Sequence, residues 1–172
     1  MRARTKIVAA CAITLCAFCT WANWPTRSIS PGATADKIIV LKSQRQLNLY
    51  SKGHLLKTYN VSLGRPIGPK QQEGDNRTPE GLYTIELHKA DSSFHKALKV
   101  SYPSTADCQA ASKRGVKPGG DIMIHGLRNG LGLIGRLHRL HDWTAGCIAV
   151  TNPEIEEIYR AVPDGTPVEI RP

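Results

Sequence analysis

Cysteine is scarce in this sequence beyond residue 22, because three of its five cysteines lie before that point. Only Cys108 and Cys147 follow, so the rest of the chain can form at most one internal disulfide. A Cys108–Cys147 bridge is one interpretation of the pair. The other is that Cys147 is a nucleophile with a free thiol, while Cys108 lies in a segment with the pattern of an exposed helix and takes no part in the chemistry.

Aromatic residues and acidic residues are also few. Phe, Trp and Tyr make up 6% of the chain, and 14 Asp and Glu stand against 23 Lys and Arg, which gives a net charge of +9. The basic residues are not interleaved with aromatic residues as they are in RNA- or DNA-binding modules, which argues against nucleic acid as a partner. The positive charge favours the anionic polymers or lipid headgroups of a cell envelope instead.

The one long uncharged apolar stretch, residues 7–22, follows three basic residues and is short for a spanning helix, which needs about 20 residues. This layout, with Thr20-Trp21-Ala22 as a small-residue cleavage site, predicts a secretory signal peptide over residues 1–22. An uncleaved anchor is the alternative, since Trp21 and Trp24 suit a membrane interface. We therefore expect export to the periplasm or cell envelope, with membrane contact only through residues 7–22 if they are retained.

The remaining chain reads as a linker followed by one domain. Residues 23–35 are rich in Pro, Ser and Thr, and residues 36–172 have the length of a single domain with its own core. Apolar residues in this domain mostly alternate with polar ones, which predicts a mostly β fold, with a minor α+β character and two or three short helices. The helices are expected at 104–114, capped by Ser104, and from Asn152, as the cap, to Pro163. The strands are expected at 38–41, 47–50, 59–63, 82–87, 98–102, 122–124, from 148 and at 167–170.

The chemically richest stretch runs from Asp121 to Asn152. His125 ends the apolar triplet 122–124, and Cys147 follows 22 positions later in a tight Thr-Ala-Gly-Cys turn. A cysteine on a tight turn with an imidazole nearby is the arrangement of a thiolate nucleophile and its base. A backbone carbonyl could fix the His125 tautomer, and backbone N–H groups around Gly146 could hold an oxyanion. The alternative is a structural histidine and a small buried cysteine.

A zinc site is another interpretation of the histidines and of Cys147. His138 and His141, together with His125 and Cys147, would supply four ligands, but their spacing matches no ordered zinc pattern and two flanking arginines disfavour a cation. The simpler interpretation places His138 and His141 in a loop near the cleft. The long polar loop over residues 64–81 is typical of a lid or a binding loop.

Four motifs, in this order, resemble the L,D-transpeptidase catalytic domain family of bacterial cell-wall enzymes: Ile38-Ile39-Val40, Arg77-Thr78-Pro79-Glu80-Gly81-Leu82-Tyr83, Ile124-His125-Gly126 and Thr144-Ala145-Gly146-Cys147-Ile148. The resemblance covers roughly residues 36–172 and implies a single β-sandwich or barrel catalytic domain. It places Cys147 at the nucleophile position and His125 at the base position.

The resemblance also implies a substrate and a reaction. The Cys147 thiolate would attack the carbonyl of the third-position diamino acid of a peptidoglycan stem, expel D-alanine and form a thioester. An amine of another stem, or of a lysine-bearing wall-anchored lipoprotein, would accept the acyl group. A hydrolase on the same peptides (an L,D-carboxypeptidase or amidase) and a non-catalytic cell-wall-binding module are the alternatives. No metal or cofactor is expected.

The residues beside the two motifs receive supporting roles by the same resemblance. Many members have histidine in place of Ala145 and arginine in place of Ala149, so this chain departs from the family at two positions. Support for the turn and the oxyanion is expected from Gly126, Thr144, Ala145 and Gly146. Substrate contacts are predicted for Arg128, His141 and Trp143.

Overall fold

The computed structural model describes residues 16–17, 20–24, 27–65 and 68–172. Most of the predicted signal peptide or anchor therefore lies outside the described residues. Within the described part of the chain, no helix combines the length and the apolar character needed to cross a membrane.

Eight strands form one curled mixed sheet in the order β3-β2-β1-β8-β4-β5-β6-β7. Neighbouring strands are antiparallel except for two parallel pairs, β1–β8 and β6–β7. This architecture confirms the mostly β fold expected from the alternation of apolar and polar residues. The strands are β1 (Lys37–Leu41), β2 (Gln46–Ser51), β3 (His54–Asn60), β4 (Gly81–Ser92), β5 (His95–Val100), β6 (Met123–His125), β7 (Ile148–Ala149) and β8 (Pro167–Arg171).

The core forms where the alternating apolar residues of the strands meet inside the curl of the sheet. Ile38 and Val40 of β1 are fully buried, and so are Leu47 and Leu49 of β2. β4 connects the two halves of the sheet, because its first residues pair with β8 and its later residues pair with β5. The second half of the sheet carries β6 and β7 at its edge, and these two strands bear the predicted catalytic motifs.

Two α-helices were predicted, and both form. Helix α1 (Thr105–Lys113) is capped by Ser104 as expected, because the Asp107 N–H donates to the Ser104 hydroxyl over 3.2 Å. Helix α2 (Asn152–Ala161) begins one residue earlier than the pattern indicated. Its cap is Thr151 and the predicted cap Asn152 was wrong: the Thr151 N–H and hydroxyl both donate to Glu154, over 2.9 and 2.8 Å.

The predicted strand over residues 59–63 is correct only in its first part. β3 ends at Asn60, and the chain then crosses to the other half of the sheet, where isolated bridges join Ser62 to Ala149 and Gly64 to Thr144. This crossing brings Ser62 alongside the edge of β7, next to the cysteine turn.

A third short helical element is within the two or three expected, but it lies in a stretch that was interpreted as a loop near the cleft. Residues Gly132–Leu140 form a 3₁₀ segment that is kinked at Gly135, where the backbone has φ 48° and ψ −131°. Three glycines in residues 130–135 had suggested an irregular loop. We refer to this element as the 3₁₀ segment.

Candidate active site

The pairing of β6 with β7 determines where His125 and Cys147 lie. The parallel register places Ile124 opposite Ile148 and His125 opposite Ala149. Ile124 and Ile148 both point into the core and are fully buried. Because side chains alternate along a strand, His125 and Cys147 project from the opposite face, as diagonal neighbours on strands about 4.8 Å apart.

Both side chains line one open cleft of about 450 Å³. The cleft lies between the β4–β5 hairpin, the end of β6 and the cysteine turn. Of the predicted site residues, it brings together His125, Trp143, Thr144, Ala145 and Cys147. Its other lining residues are Lys89, Ser92, Ser93, Phe94, Asp121 and Met123.

The His125 ring is held in one orientation by its own backbone neighbour. Its Nδ1 lies 2.7 Å from the carbonyl oxygen of Gly126. Because a carbonyl can only accept, Nδ1 carries the ring hydrogen and Nε2 is left as an acceptor, which is the tautomer that a general base requires. Burial lowers the pKa of His125, and the bond to Gly126 only partly offsets that effect, so the ring is neutral at pH 7.

Two aromatic rings enclose His125. The Phe94 ring lies 4.5 Å from the imidazole centroid to centroid, and the Trp143 ring lies 5.9 Å away. Phe94 and Trp143 are themselves stacked, with centroids 6.1 Å apart. Sequence reasoning predicted Trp143 at the site but missed Phe94, which stands in the β4–β5 turn without any catalytic motif around it.

The Cys147 side chain contacts a backbone carbonyl. Its Sγ lies 3.6 Å from the carbonyl oxygen of Asp121, to which the S–H donates. Burial raises the pKa of the Cys147 thiol, and the Asp121 carboxylate raises it further, while a hydrogen bond from the Met123 backbone N–H and the charge of Lys70 lower it. Burial thus raises the pKa of Cys147 and lowers that of His125, and both directions favour a thiol beside a neutral imidazole.

The cysteine turn is stabilised by the Thr144 hydroxyl. This hydroxyl donates to the Cys147 carbonyl over 2.7 Å and accepts the Gly146 N–H over 3.2 Å. Gly146 has φ 118°, and a Cβ there would lie 2.6 Å from the Arg77 carbonyl oxygen, so only glycine fits. Thr144 and Gly146 thus support the turn, and the Gly146 N–H donates within it.

The segment after His125 is fixed from helix α2. The Asn152 side-chain oxygen accepts the Leu127 N–H over 2.8 Å, so Asn152 stabilises this segment and does not cap the helix. A Cβ on Gly126 would lie 2.8 Å from that oxygen and 2.9 Å from Ile155. Gly126 therefore allows the close approach that positions His125.

His138 lies in a buried layer behind the cleft, not in the loop predicted near it. It is 4% exposed, and the Ser62 hydroxyl donates to its carbonyl over 2.9 Å and lies 3.2 Å from its Nδ1. The His138 ring also contacts Trp143, with centroids 6.4 Å apart. Burial, and then the charge of Arg139, lower the pKa of His138 to about 4.

The structure places other predicted residues away from the cleft. Arg128 and His141 are exposed and do not line it, so their placement lends no support to a substrate contact. Ala145 lines the cleft, whereas Ala149 is fully buried.

Cys108 and Cys147 are both free thiols, so the alternative of a bridge between them is wrong. Among the described residues, no group of three or more His, Cys, Asp or Glu could hold a metal ion.

Comparison with known proteins identifies the family. The family model of the L,D-transpeptidase catalytic domain (YkuD) matches residues 35–170. The chain belongs to the L,D-transpeptidase catalytic domain family. YafK of Escherichia coli K12, provisionally named an L,D-transpeptidase, is 32% identical over 132 residues, a span that covers 73% of this chain and 46% of that protein. The L,D-transpeptidase domain described here thus spans about half the length of the curated relatives that it matches.

Solved structures share the L,D-transpeptidase fold. The helical cell shape determining protein Pgp2 of Campylobacter jejuni superposes with a TM-score of 0.59 at 21% identity, over 90% of this chain and 54% of its own. Bd1075 of Bdellovibrio bacteriovorus superposes with a TM-score of 0.55 at 24% identity, over 84% and 51%. An L,D-transpeptidase of Enterococcus faecium gives 0.54 at 15% identity, over 81% and 50%. At these identities the likeness establishes the fold alone.

Proposed function

We propose that this protein is an exported L,D-transpeptidase, a cysteine acyltransferase that acts on peptidoglycan stem peptides. The observation that carries the proposal is the β6–β7 register, which sets Cys147 beside His125 in one cleft while the Gly126 carbonyl leaves His125 Nε2 as an acceptor. Membership of the family supplies the substrate class. Residues 1–22 would direct export, and residues 23–35 would link them to a catalytic domain over 36–172.

The resting thiol makes proton transfer the first chemical event. The thiol would turn from the Asp121 carbonyl to His125 Nε2 and give up its proton as sulfur attacks the carbonyl of the diamino acid. The bond to D-alanine would break, the proton would pass from His125 to the leaving amine, and a thioester would remain on Cys147. An acceptor amine then attacks the thioester and returns the proton to sulfur through His125. No cofactor enters this scheme.

One basic and one acidic side chain line the cleft and are available to bind a stem peptide. Lys89 lines it from β4 and suits the carboxylate of a terminal D-alanine, in place of the arginine that many members have at position 149. Asp121 lines it opposite and suits the free amine of the diamino acid. For the oxyanion we propose the Cys147 N–H, since the Gly146 N–H is donated to Thr144.

Hydrolysis of the same peptides, as an L,D-carboxypeptidase or amidase, is the second candidate. The loop over residues 64–81 was expected to be a lid or a binding loop, but none of its described residues lines the cleft. Instead, the Lys42 ammonium holds the loop through the carbonyls of Gly68 and Thr78, over 2.7 and 2.8 Å. Water can therefore reach the thioester and compete with the amine.

The test uses purified protein with a disaccharide-tetrapeptide, read by mass spectrometry. We expect dimers cross-linked through two diamino acids, and loss of every product in Cys147→Ala but not in Cys108→Ala, which removes an exposed cysteine. Tripeptide as the sole product, even at high acceptor concentration, would favour the hydrolase. Unchanged stem peptides with wild-type protein that still sediments with wall sacculi would indicate a binding module. A Lys-bearing lipoprotein added as acceptor tests whether proteins are attached.

A further inference from the structure

Most of the exposed large apolar side chains lie in two segments that contact each other. Nine large hydrophobic residues are exposed among those described, and three of them are scattered over β3 and β4. The other six belong to two short segments, residues 20–24 and residues 131–140. We call these six the apolar face: Trp21, Trp24, Leu131, Leu133, Ile134 and Leu140.

The two segments contact each other closely. Ala22 is 1% exposed, and the Asn23 side-chain amide donates to the Leu133 carbonyl over 2.9 Å. Arg136 donates to the Trp24 carbonyl over 2.5 Å. A Cβ on Gly135 would lie only 2.4 Å from the Ala22 carbonyl oxygen. The missing side chain at the kink of the 3₁₀ segment therefore makes room for residues 20–24. The apolar face is therefore built from two segments that contact each other.

The charge around the apolar face is positive. Residues 128–141 contain three arginines and no acidic residue. Arg128 is exposed and Arg136 is half-buried beside Trp24, whereas Arg139 is paired with Glu154. Leucine and tryptophan flanked by arginine is the composition of surfaces that enter the headgroup region of anionic membranes.

An apolar segment of the sequence leads into the apolar face. Residues 7–22 carry no charge, and the described chain that follows them runs directly onto the 3₁₀ segment at Ala22 and Asn23. A segment suited to a bilayer thus leads into a face with the chemistry of the bilayer interface.

We propose that the apolar face binds the surface of an anionic lipid bilayer, with Leu131, Leu133 and Leu140 inserted among the headgroups and Arg128 and Arg136 near the phosphates. The same 3₁₀ segment carries His138, whose ring contacts Trp143 in the cleft. Membrane binding would therefore hold the cleft at a fixed height and orientation above the bilayer.

The test compares two variants, each with one added tryptophan. In one variant the added indole is on the apolar face, and in the other it is on β4. Leu133→Trp and Leu82→Trp replace side chains that are 80% and 76% exposed, so neither change disturbs packing. The full chain is mixed with phosphatidylglycerol vesicles that carry brominated acyl chains, which quench nearby indoles. Wild-type protein, measured in the same way, gives the contribution of the three native tryptophans to the quenching of each variant.

We expect the indole at position 133 to lose about half of its emission, as for a group about 5–10 Å deep, and the indole at position 82 to lose none. The combined Leu133→Ser and Leu140→Ser variant should bind vesicles at least tenfold more weakly than the Leu82→Ser control. Equal quenching at the two positions, or none at either, overturns the proposal. In the second case a protein partner becomes the occupant to seek.

Discussion

Cys147 meets two groups of one residue, Asp121. The Asp121 carbonyl accepts its S–H over 3.6 Å, and the Asp121 carboxylate opposes its ionisation. Asp121 itself has φ 54°, a left-handed conformation that aspartate tolerates better than most residues. A strained residue beside a reactive one is a common feature of catalytic sites. Here its carboxylate adds to burial in raising the pKa of Cys147.

We predict that Asp121→Asn makes Cys147 more reactive. Asparagine keeps the carbonyl and tolerates the same φ, but it removes the negative charge that raises the pKa of Cys147. The alkylation rate of Cys147 at pH 7.5 should rise about two- to threefold, the size expected for one partly screened charge. Site-resolved mass spectrometry measures it, and Asp91→Asn, an exposed residue of β4, is the control. A slower rate in Asp121→Asn would contradict the electrostatic account.

At the scale of elements, the β4–β5 hairpin acts on the site from outside both motifs. Its turn presents Phe94 to His125, and the Ser92 hydroxyl accepts the Phe94 N–H over 3.0 Å, which fixes the turn. The Asn129 side-chain oxygen accepts the His95 N–H over 2.9 Å and joins the hairpin to the segment after β6. The hairpin thus helps to bury the imidazole and lowers its pKa.

We predict that Phe94→Ala raises the pKa of His125 and slows turnover while the fold persists. Loss of the ring would admit water to the imidazole, and burial is the main cause of its lowered pKa. A less firmly held base should cost about tenfold or more in turnover. NMR titration of His125 and the stem-peptide assay measure the two effects. Leu87→Ala, on β4, should change neither, and an unchanged His125 titration in Phe94→Ala would refute the role of the hairpin.

For the whole molecule, buried histidines link stability to pH. The unfolded chain binds a proton at His138 near the ordinary pKa of 6.5, whereas the folded chain binds it only near pH 4. Between these values the unfolded state holds more protons, so stability rises with pH across that window and is level above it. His125 acts in the same direction, because burial lowers its pKa too.

We predict that the free energy of unfolding falls by about 3 kcal/mol as pH drops from 6.5 to 4 because of His138 alone. Urea unfolding at a series of pH values measures the slope. His138→Gln should be less stable at pH 7 and should lose much of that slope, since glutamine does not titrate. His54→Gln, an exposed position on β3, should keep it. A full wild-type slope in His138→Gln would show that other groups cause the effect.

The sequence by itself determined the local features of this protein. The alternation in β1 and β2, the cap at Ser104 and the turn glycine before Cys147 all depend on neighbouring residues, so they could be predicted. The order of the motifs also indicated the family and the pair His125 and Cys147.

Only the tertiary structure decided which distant groups share the site. Ser62 and His138 are separated by 76 residues and meet because the chain crosses from β3 to β7. Phe94 reaches His125 because β5 pairs with both β4 and β6. The ionisation of Cys147 and His125 also depends on burial by these distant groups, which no local pattern records. Register and burial depend on many long-range contacts, whereas a motif contains information only about residues that are neighbours in the chain.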